Sequence, residues 1–148
     1  MPGPGDSGPF RVRLALPIQW GEMDSYGHVN NAVYFRWFES ARMEYFRRLG
    51  WPELERETGV GPILHSTRAR FRAPLEWPDT VEVLTRAGEV EADRFTMFYE
   101  VRSPRFERAV CEGSGIVVAY DYRSKSKTAL PEAIRRRIAA LESGPAEE

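Results

Sequence analysis

The chain has almost no cysteine and no excess charge of either sign. Cys111 is the one cysteine in 148 residues, so an internal disulfide is excluded and a reducing, cytoplasmic compartment is favoured. The 21 basic and 22 acidic residues leave a net charge of −1, which gives no reason to expect nucleic acid or a membrane surface as partner. A chain of this length is expected to form one domain with a sizeable core.

Several functional motifs are also missing. No apolar run approaches the length of a transmembrane helix, and the stretch MPGPGDSGPF lacks the basic and apolar regions of a secretory signal. There is no Gly-x-Ser-x-Gly, so an esterase serine has no support, and neither glycine pattern for binding phosphates or dinucleotides occurs. A metal site is not expected, because Gly27 between Asp24 and His28 indicates a loop rather than a helix.

What the chain does contain, over residues 20–51, is a polar cluster that leads into a long helical pattern. The polar residues are Glu22, Asp24, Ser25, His28, Asn30 and Asn31. Apolar and aromatic side chains then recur at a period near 3.6, which predicts a helix with one apolar stripe. The stripe is formed by Val33, Tyr34, Trp37, Phe38, Ala41, Tyr45, Phe46 and Leu49. Asn30 or Asn31 can cap the start of this helix, and Gly50 suits a left-handed cap at its end.

This arrangement places the carboxylate of Asp24 shortly before the start of a helix. Free N–H groups at a helix start can bind an oxyanion, and a nearby carboxylate can act as a base or a nucleophile. The competing interpretation is an ordinary turn at Asp24, Ser25 and Gly27, because Asp and Gly are common turn residues. Spacing alone leaves both interpretations open.

The rest of the chain predicts one strand before the helix, four strands after it and a short final helix. The strands are expected at residues 12–18, 62–72, 80–87, 94–102 and 107–122, and the last helix starts near Pro131. Short connections favour an antiparallel sheet, and one long apolar helix suggests an α+β layout with the sheet curled around it. We expect the domain to cover residues 10–142, with disordered tails at residues 1–9 and 143–148.

The second and fifth strands carry further candidates. Alternation places His65 with Ile63 on the inner face of the second strand and Leu64 on the opposite face. For His65, a hydrogen-bonded interior histidine is the ordinary interpretation and a substrate-facing role the alternative. The opposite face carries arginines that cannot all be buried unpaired, so it is solvated or meets an anion: Arg68, Arg70 and Arg72. In the fifth strand, Cys111 is expected to be a small core residue, and Gly113 and Gly115 indicate a bulge or a close backbone approach.

The run Asp-Ser-Tyr-Gly-His-Val-Asn-Asn at residues 24–31, with Tyr34 and a helix through Glu39, Ala41 and Arg42, resembles the hotdog-fold thioesterases of the 4-hydroxybenzoyl-CoA thioesterase type. Two shorter stretches, Phe-Arg-Ala-Pro at 71–74 with Asp79 and Leu-Pro-Glu at 130–132, add to a likeness that covers residues 10–141. The resemblance implies a five-stranded antiparallel sheet wrapped around one long helix. It also implies subunits paired edge to edge, as a homodimer or a dimer of dimers.

The same resemblance implies an enzyme that hydrolyses an acyl-CoA thioester, with coenzyme A as part of the substrate and no retained cofactor. Asp24 matches the family's catalytic carboxylate, and Asn31 matches the position whose backbone N–H polarises the thioester carbonyl. Other side chains would shape the substrate site: His28, Asn30 and Tyr34 on the same turn, and His65 from the second strand. Arg68 and Arg70 could meet the nucleotide phosphates of coenzyme A, or they could form a solvated strand face.

Two other functions stay open on the same fold. A hotdog hydratase or dehydratase also uses an Asp and a His, but in a longer Asp-x-Asn-Pro-x-His run that is absent here. A non-catalytic acyl-CoA binder would be favoured by loss of the carboxylate at position 24, whereas this chain keeps Asp24. The acyl group cannot be inferred, because Asn30 and Asn31 stand where the family often has a small apolar residue or a tyrosine.

Overall fold

The computed structural model describes residues 9–144, so most of the predicted tails at residues 1–9 and 143–148 lies outside this range, while Ser143 still belongs to the last helix. The chain forms, in order, β1 (Val12–Pro17), a short 3-10 helix (Trp20–Glu22), α1 (Asn31–Leu49), α2 (Trp51–Thr58), β2 (Val60–Phe71), β3 (Thr80–Gly88), β4 (Arg94–Arg102), β5 (Cys111–Asp121), β6 (Ser126–Lys127) and α3 (Glu132–Ser143). No helix in the described range is long and apolar enough to cross a bilayer.

The five long strands form one antiparallel sheet in the order β1-β3-β4-β5-β2. β1 and β2 are therefore its edges, and the two-residue β6 pairs only with the end of β5. Pro17 ends the edge strand β1, where its missing N–H is tolerated. With α1 packed against the inner face, this is the hotdog fold that the resemblance implies, and the α+β prediction is confirmed.

The predicted apolar stripe of α1 forms the centre of the core, and all its members except the half-buried Val33 are buried. The Phe38 ring stacks on Tyr99 of β4, with ring centroids 4.5 Å apart and planes 10° from parallel. A β-carbon at Gly113 would overlap the Phe38 ring and lie 2.8 Å from the Arg68 carbonyl oxygen. Gly113 is therefore a position of close backbone approach, one of the two interpretations predicted from the sequence.

The inner faces of β3 and β4 alternate as predicted. The buried side chains of these inner faces are Val81, Val83, Thr85 and Ala87 on β3, and Phe95, Met97, Tyr99 and Val101 on β4. Cys111 is fully buried beside them, and burial, with the nearby Glu112 carboxylate, raises the pKa of its thiol to about 12. A thiol that stays protonated at neutral pH is a poor nucleophile, so Cys111 is a core residue as predicted.

The end of α1 runs directly into a second helix, α2, which the sequence analysis did not include. Gly50 has a φ of 67° and donates its N–H to the carbonyls of Phe46 and Arg47, which closes α1 as predicted. The next residue, Trp51, begins α2, and its fully buried indole packs against Phe46 and Phe95. Burial of this ring anchors the start of α2 against the end of α1 and against β4.

For the part of β2 that precedes Ser66, the prediction of which side chains face the core is wrong. A β-bulge lies between Leu64 and Ser66, so Leu64 pairs with Val117 and Ser66 with Ile116, and His65 has no partner. The extra residue exchanges the two faces of the strand. Ile63 consequently shares the outer face with the arginines, Leu64 lies on the inner face, and His65 is exposed rather than interior.

The fifth strand begins later than predicted, at Cys111 rather than residue 107. Residues 103–110 form a loop instead, and its aromatic residue Phe106 is exposed. Val110 is the buried anchor of the loop: its N–H donates to Val101, and its carbonyl accepts from Arg72 and Ala73. The short strand β6 that follows β5 was not predicted from the sequence.

We expect replacement of Gly113 by alanine to destabilise the protein. The added methyl group would overlap the Phe38 ring and crowd a backbone carbonyl that cannot move freely, and overpacking of this kind costs about 1–3 kcal/mol. Gly21→Ala is the matched control, because nothing lies within 4 Å of a β-carbon there. Urea unfolding of the two variants measures the difference, and equal free energies of unfolding would contradict the close approach.

Candidate active site

The polar cluster folds into a closed turn between residues 24 and 28. Asp24 donates its N–H to the His28 carbonyl at 2.8 Å, and its own carbonyl accepts the Gly27 N–H at 3.0 Å. Gly27 has a φ of 79°, a left-handed conformation that glycine adopts without strain. Asp24 Oδ1 accepts the Tyr26 N–H at 2.9 Å, while Oδ2 accepts no hydrogen bond within residues 9–144. The exposed carboxylate is thus both a turn former and a group with a free oxygen.

The turn is held in place by its neighbours in the fold. Val29 is buried and donates its N–H to the Leu75 carbonyl at 2.8 Å, and Asn30 donates to the Glu22 carbonyl at 2.9 Å. Met23 pairs with Val29 in an isolated antiparallel bridge. The backbone on both sides of Asp24 is therefore tied to the 3-10 helix and to the loop that follows β2, which limits its movement.

The start of α1 follows this turn directly. Asn30 is the N-cap, with φ −61° and ψ 137°, and its side-chain oxygen accepts the Ala32 N–H at 3.0 Å. Its carbonyl accepts the Val33 N–H at 2.9 Å. The Asn31 N–H is the first of the helix and has no intrahelical acceptor, so it is available to an anion. The choice between Asn30 and Asn31 as cap, left open by the sequence, is thereby settled.

Four predicted site residues are brought together at this end of α1. Asp24, Asn30 and Asn31 are exposed and His28 is half-buried. Tyr34 is different: it is 2% exposed, and its ring packs edge-on against Trp37 and Phe71, with centroids 5.0 and 5.1 Å away. Burial, with a smaller contribution from the Cys111 thiol, raises the pKa of the Tyr34 hydroxyl. Tyr34 lies in the core beneath the first turn of the helix rather than on its surface.

The structure adds one residue that the sequence analysis missed. The Oε1 atom of Glu76 lies 4.0 Å from His28 Nε2, an ion pair whenever the histidine is protonated. Glu76 is carried by the loop that also holds Leu75 and Trp77, and the Trp77 N–H donates to Met23 Sδ at 3.5 Å. Only the pairing of two loops distant in sequence creates this contact, so no local pattern predicts it.

The predicted residues of β2 are not brought to the same place. His65 is exposed at the bulge, and Arg68 and Arg70 are exposed on the outer face, opposite Ser114 and Glu112. Gly113, between those two residues of β5, faces α1, so the arginines point away from the helix. Within residues 9–144, no group of three or more His, Cys, Asp or Glu side chains is placed to hold a metal ion.

Comparison with known proteins gives a family and several relatives. The family model described as the thioesterase-like superfamily matches residues 18–138. A protein of Aquifex aeolicus named as an esterase is 34% identical over 85 residues, which cover 57% of this chain and 66% of that protein. A chloroplastic acyl-acyl carrier protein thioesterase of Arabidopsis thaliana is 25% identical over 127 residues, covering 84% of this chain and 66% of that protein. The chain thus spans just under two thirds of the length of these curated relatives.

A solved structure extends the likeness over nearly the whole fold. A thioesterase from Thermus thermophilus, complexed with coenzyme A and Zn, is 30% identical to this chain and superposes with a TM-score of 0.80. The match covers 93% of this chain and 98% of that structure.

We expect Asn30→Ala to destabilise the start of α1, because the Ala32 N–H loses its acceptor. Loss of an N-cap side chain typically costs about 1 kcal/mol. Asn31→Ala is the control: its exposed side chain does not cap the helix, and such surface changes stay within about 0.5 kcal/mol. Chemical denaturation of both variants measures the two costs, and a larger loss for Asn31→Ala would reverse the assignment of the cap.

Proposed function

This chain belongs to the thioesterase-like superfamily, and from that membership we propose that it is a thioester hydrolase acting on acyl-CoA, with Asp24 as its catalytic carboxylate. One observation carries the residue assignment. The free Oδ2 of an exposed, backbone-anchored Asp24 shares one end of the fold with the unpaired first N–H of α1 at Asn31. Thioester hydrolysis needs both groups, a carboxylate for the attack and a donor for the oxygen that becomes negative.

The Asn31 N–H is the proposed donor to the thioester carbonyl oxygen. It lies at the positive end of a 19-residue helix, so both the N–H group and the helix dipole favour negative charge there. A preorganised donor of this kind contributes about 3 kcal/mol to stabilising the transition state. The hydrogen bond from Ala32 to Asn30 leaves the Asn31 N–H unobstructed, because the capping oxygen is already engaged one residue further along.

Two routes to hydrolysis are compatible with this arrangement. In the first, Asp24 takes a proton from water while the water oxygen bonds to the carbonyl carbon; the tetrahedral intermediate then collapses, the C–S bond breaks, and the coenzyme A sulfur leaves and is protonated. In the second, an Asp24 oxygen bonds to the carbonyl carbon and displaces the same thiolate, and water then hydrolyses the resulting anhydride. Free acid and coenzyme A are the products of both routes.

The neighbouring residues are proposed to shape the substrate site. His28 is half-buried with its Nε2 directed toward Glu76, which suits an orienting role better than attack on the thioester. Asn30 holds the helix start through its cap, and Tyr34 supports the first turn from the core. His65 would contact substrate only if a second subunit brought β2 to the site, because it is exposed on the edge strand.

The edge strand β2 is the basis for proposing a homodimer, alone or within a dimer of dimers. This strand is 12 residues long, and its central residues are exposed, with Ile63 and Leu64 at 38% and 39%. An exposed edge with apolar side chains and unpaired N–H and C=O groups is a template for another strand. Pairing with β2 of a second copy would cover it and bring the two candidate sites toward a common interface.

Coenzyme A is proposed to be part of the substrate, released as a product, and not a cofactor that stays bound. Arg68 and Arg70 remain candidates for contact with its phosphates, because both are exposed and their side chains form no hydrogen bond or ion pair within residues 9–144. Exposed arginines on one strand face provide charge without a built pocket. We therefore expect this contact to weaken as ionic strength rises.

We expect the protein to be at least a dimer at micromolar concentration. Sedimentation velocity measures its mass in solution, and introduction of charge at the exposed edge, as Ile63→Lys, is expected to shift the equilibrium toward monomer. The same substitution at Val90, which is also exposed but lies outside β2, serves as the control. A monomer at all concentrations in the unmodified protein would contradict both the assembly and a site shared between subunits.

We expect Asp24→Asn to lower kcat by roughly 10²–10⁴, the usual consequence of losing a base, while acyl-CoA binding is retained because the change is nearly isosteric. His28→Ala should cost less, and Glu53→Gln, which alters an exposed carboxylate in α2 beyond the other end of α1, should change nothing. Release of free thiol from a panel of acyl-CoAs measures turnover. Near-native turnover of Asp24→Asn together with loss of activity in His28→Ala would make the histidine the base.

The same thiol assay separates the functional alternatives, since a hydratase or a silent binder releases no thiol from any acyl-CoA. A single turnover in ¹⁸O-labelled water then tests the carboxylate route. Label that enters the Asp24 side chain supports attack by the carboxylate, and label found only in the released acid is expected both from attack by water and from hydrolysis of the anhydride at its acyl carbon.

A further inference from the structure

The loop at residues 103–110 lies at the same end of the sheet as the candidate active site. Ser103 Oγ donates to Asp79 Oδ2 at 2.6 Å, and Arg105 Nη2 donates to the Pro78 carbonyl at 2.5 Å. The loop that carries Pro78 also accepts the Val29 N–H at Leu75. Hydrogen bonds therefore connect three neighbouring loops: the Asp24 turn, residues 74–79 and residues 103–110.

Two cations of this third loop are not neutralised by a carboxylate within residues 9–144. Arg105 is exposed and donates to a carbonyl, and Arg108 is exposed and its side chain forms no hydrogen bond or ion pair in that range. The neighbouring Arg102 is different, because it pairs with Glu100 at 2.6 Å. Glu107 is the one acid within the loop itself, and it is exposed.

Exposed aromatic rings accompany these cations. Phe106 lies between the two arginines in sequence and is 40% exposed, and Trp77, next to the Pro78 carbonyl that Arg105 contacts, is 46% exposed. A guanidinium group binds phosphate through paired N–H donors, and an exposed ring can stack on a nucleobase. Rings and unneutralised arginines on adjoining loops suit a ligand that carries a base and a phosphate close together.

We propose that Arg105 and Arg108, with Trp77 and Phe106, bind the adenine 3′-phosphate end of coenzyme A. This inference rests on the proposed acyl-CoA hydrolysis. The pantetheine arm would then cross the loop at residues 74–79, with the thioester beside Asp24 and the nucleotide over residues 103–108. In coenzyme A, adenine and the 3′-phosphate are carried by the same ribose. The exposed rings and the arginines of these adjoining loops are likewise neighbours, so one ribose could present its base to a ring and its phosphate to a guanidinium.

Arg68 and Arg70 do not offer the same combination. On the outer face of the sheet, Arg68 of β2 pairs with Ser114 of β5, which in turn pairs with Phe98 of β4. Phe98 is the aromatic residue in this row, but it is only 8% exposed, and the Arg86 guanidinium covers its ring at 4.3 Å from the ring centroid. A base could not stack on it. The β2 arginines therefore suit a phosphate alone, such as the diphosphate, and they form a matched comparison for the loop arginines.

The experiment compares Arg105→Ala/Arg108→Ala with Arg68→Ala/Arg70→Ala on three substrates that share one acyl group: acyl-CoA, acyl-3′-dephospho-CoA and acyl-pantetheine. In the unmodified protein we expect KM for acyl-CoA to be about tenfold below that for the dephospho form, the effect of one charge-assisted contact. The loop variant should lose this preference with kcat unchanged. The β2 variant should keep it.

A preserved preference for the 3′-phosphate in the loop variant would overturn the proposal, as would an equal rise in KM for all three substrates. Failure to cleave any of the three substrates would instead refute the proposed hydrolysis. The nucleotide site is then tested without catalysis, by calorimetric titration with adenosine 3′,5′-bisphosphate and with its isomer 5′-ADP. Tighter binding of the bisphosphate, lost in the loop variant alone, supports the site, and equal or undetectable binding of both isomers refutes it.

Discussion

The contact between the Phe38 ring and the backbone of Gly113 sets the position of α1 on the sheet, and the rest of the structure depends on it. Any side chain at position 113 would occupy the space of that ring, so the helix can approach this closely only over glycine. The ring is held from the other side by its stack on Tyr99, whose hydroxyl accepts a hydrogen bond from the buried Arg42 at 3.0 Å. Loss of the contact would displace the helix and, with it, the N–H group at its start.

The parts of the fold that local chemistry determines could be predicted from the sequence. A capping asparagine, a left-handed glycine and a stripe of period 3.6 specify a helix without reference to the rest of the chain, and α1 begins and ends where they indicate. Buried faces of β3 and β4 follow from strict alternation in the same way. These patterns are reliable because each is read within a few residues, and because one face of the element must leave water.

The features that were mispredicted depend on pairing between distant segments. No residue near His65 indicates a bulge in the sequence. The bulge arises because β5 has one fewer residue than β2 at that point of their pairing. The single inserted residue moved Ile63 to the outer face and left His65 exposed. Glu76 could not be connected with His28 for a similar reason, since their contact requires two loops to be brought together by the sheet.

The sequence posed the role of Asp24 as a choice between a turn and a catalytic group, and the structure shows why the two need not compete. One carboxylate oxygen accepts the Tyr26 N–H and so fixes the side chain relative to its own backbone. The hydrogen bonds of Asp24 with His28 and Gly27 close the turn. A carboxylate held in this way loses little further freedom when it acts, and its second oxygen faces solvent with a fixed orientation. Orientation of a reacting group before the reaction is itself a source of rate enhancement, so in the proposed hydrolysis the turn would prepare Asp24 for its role.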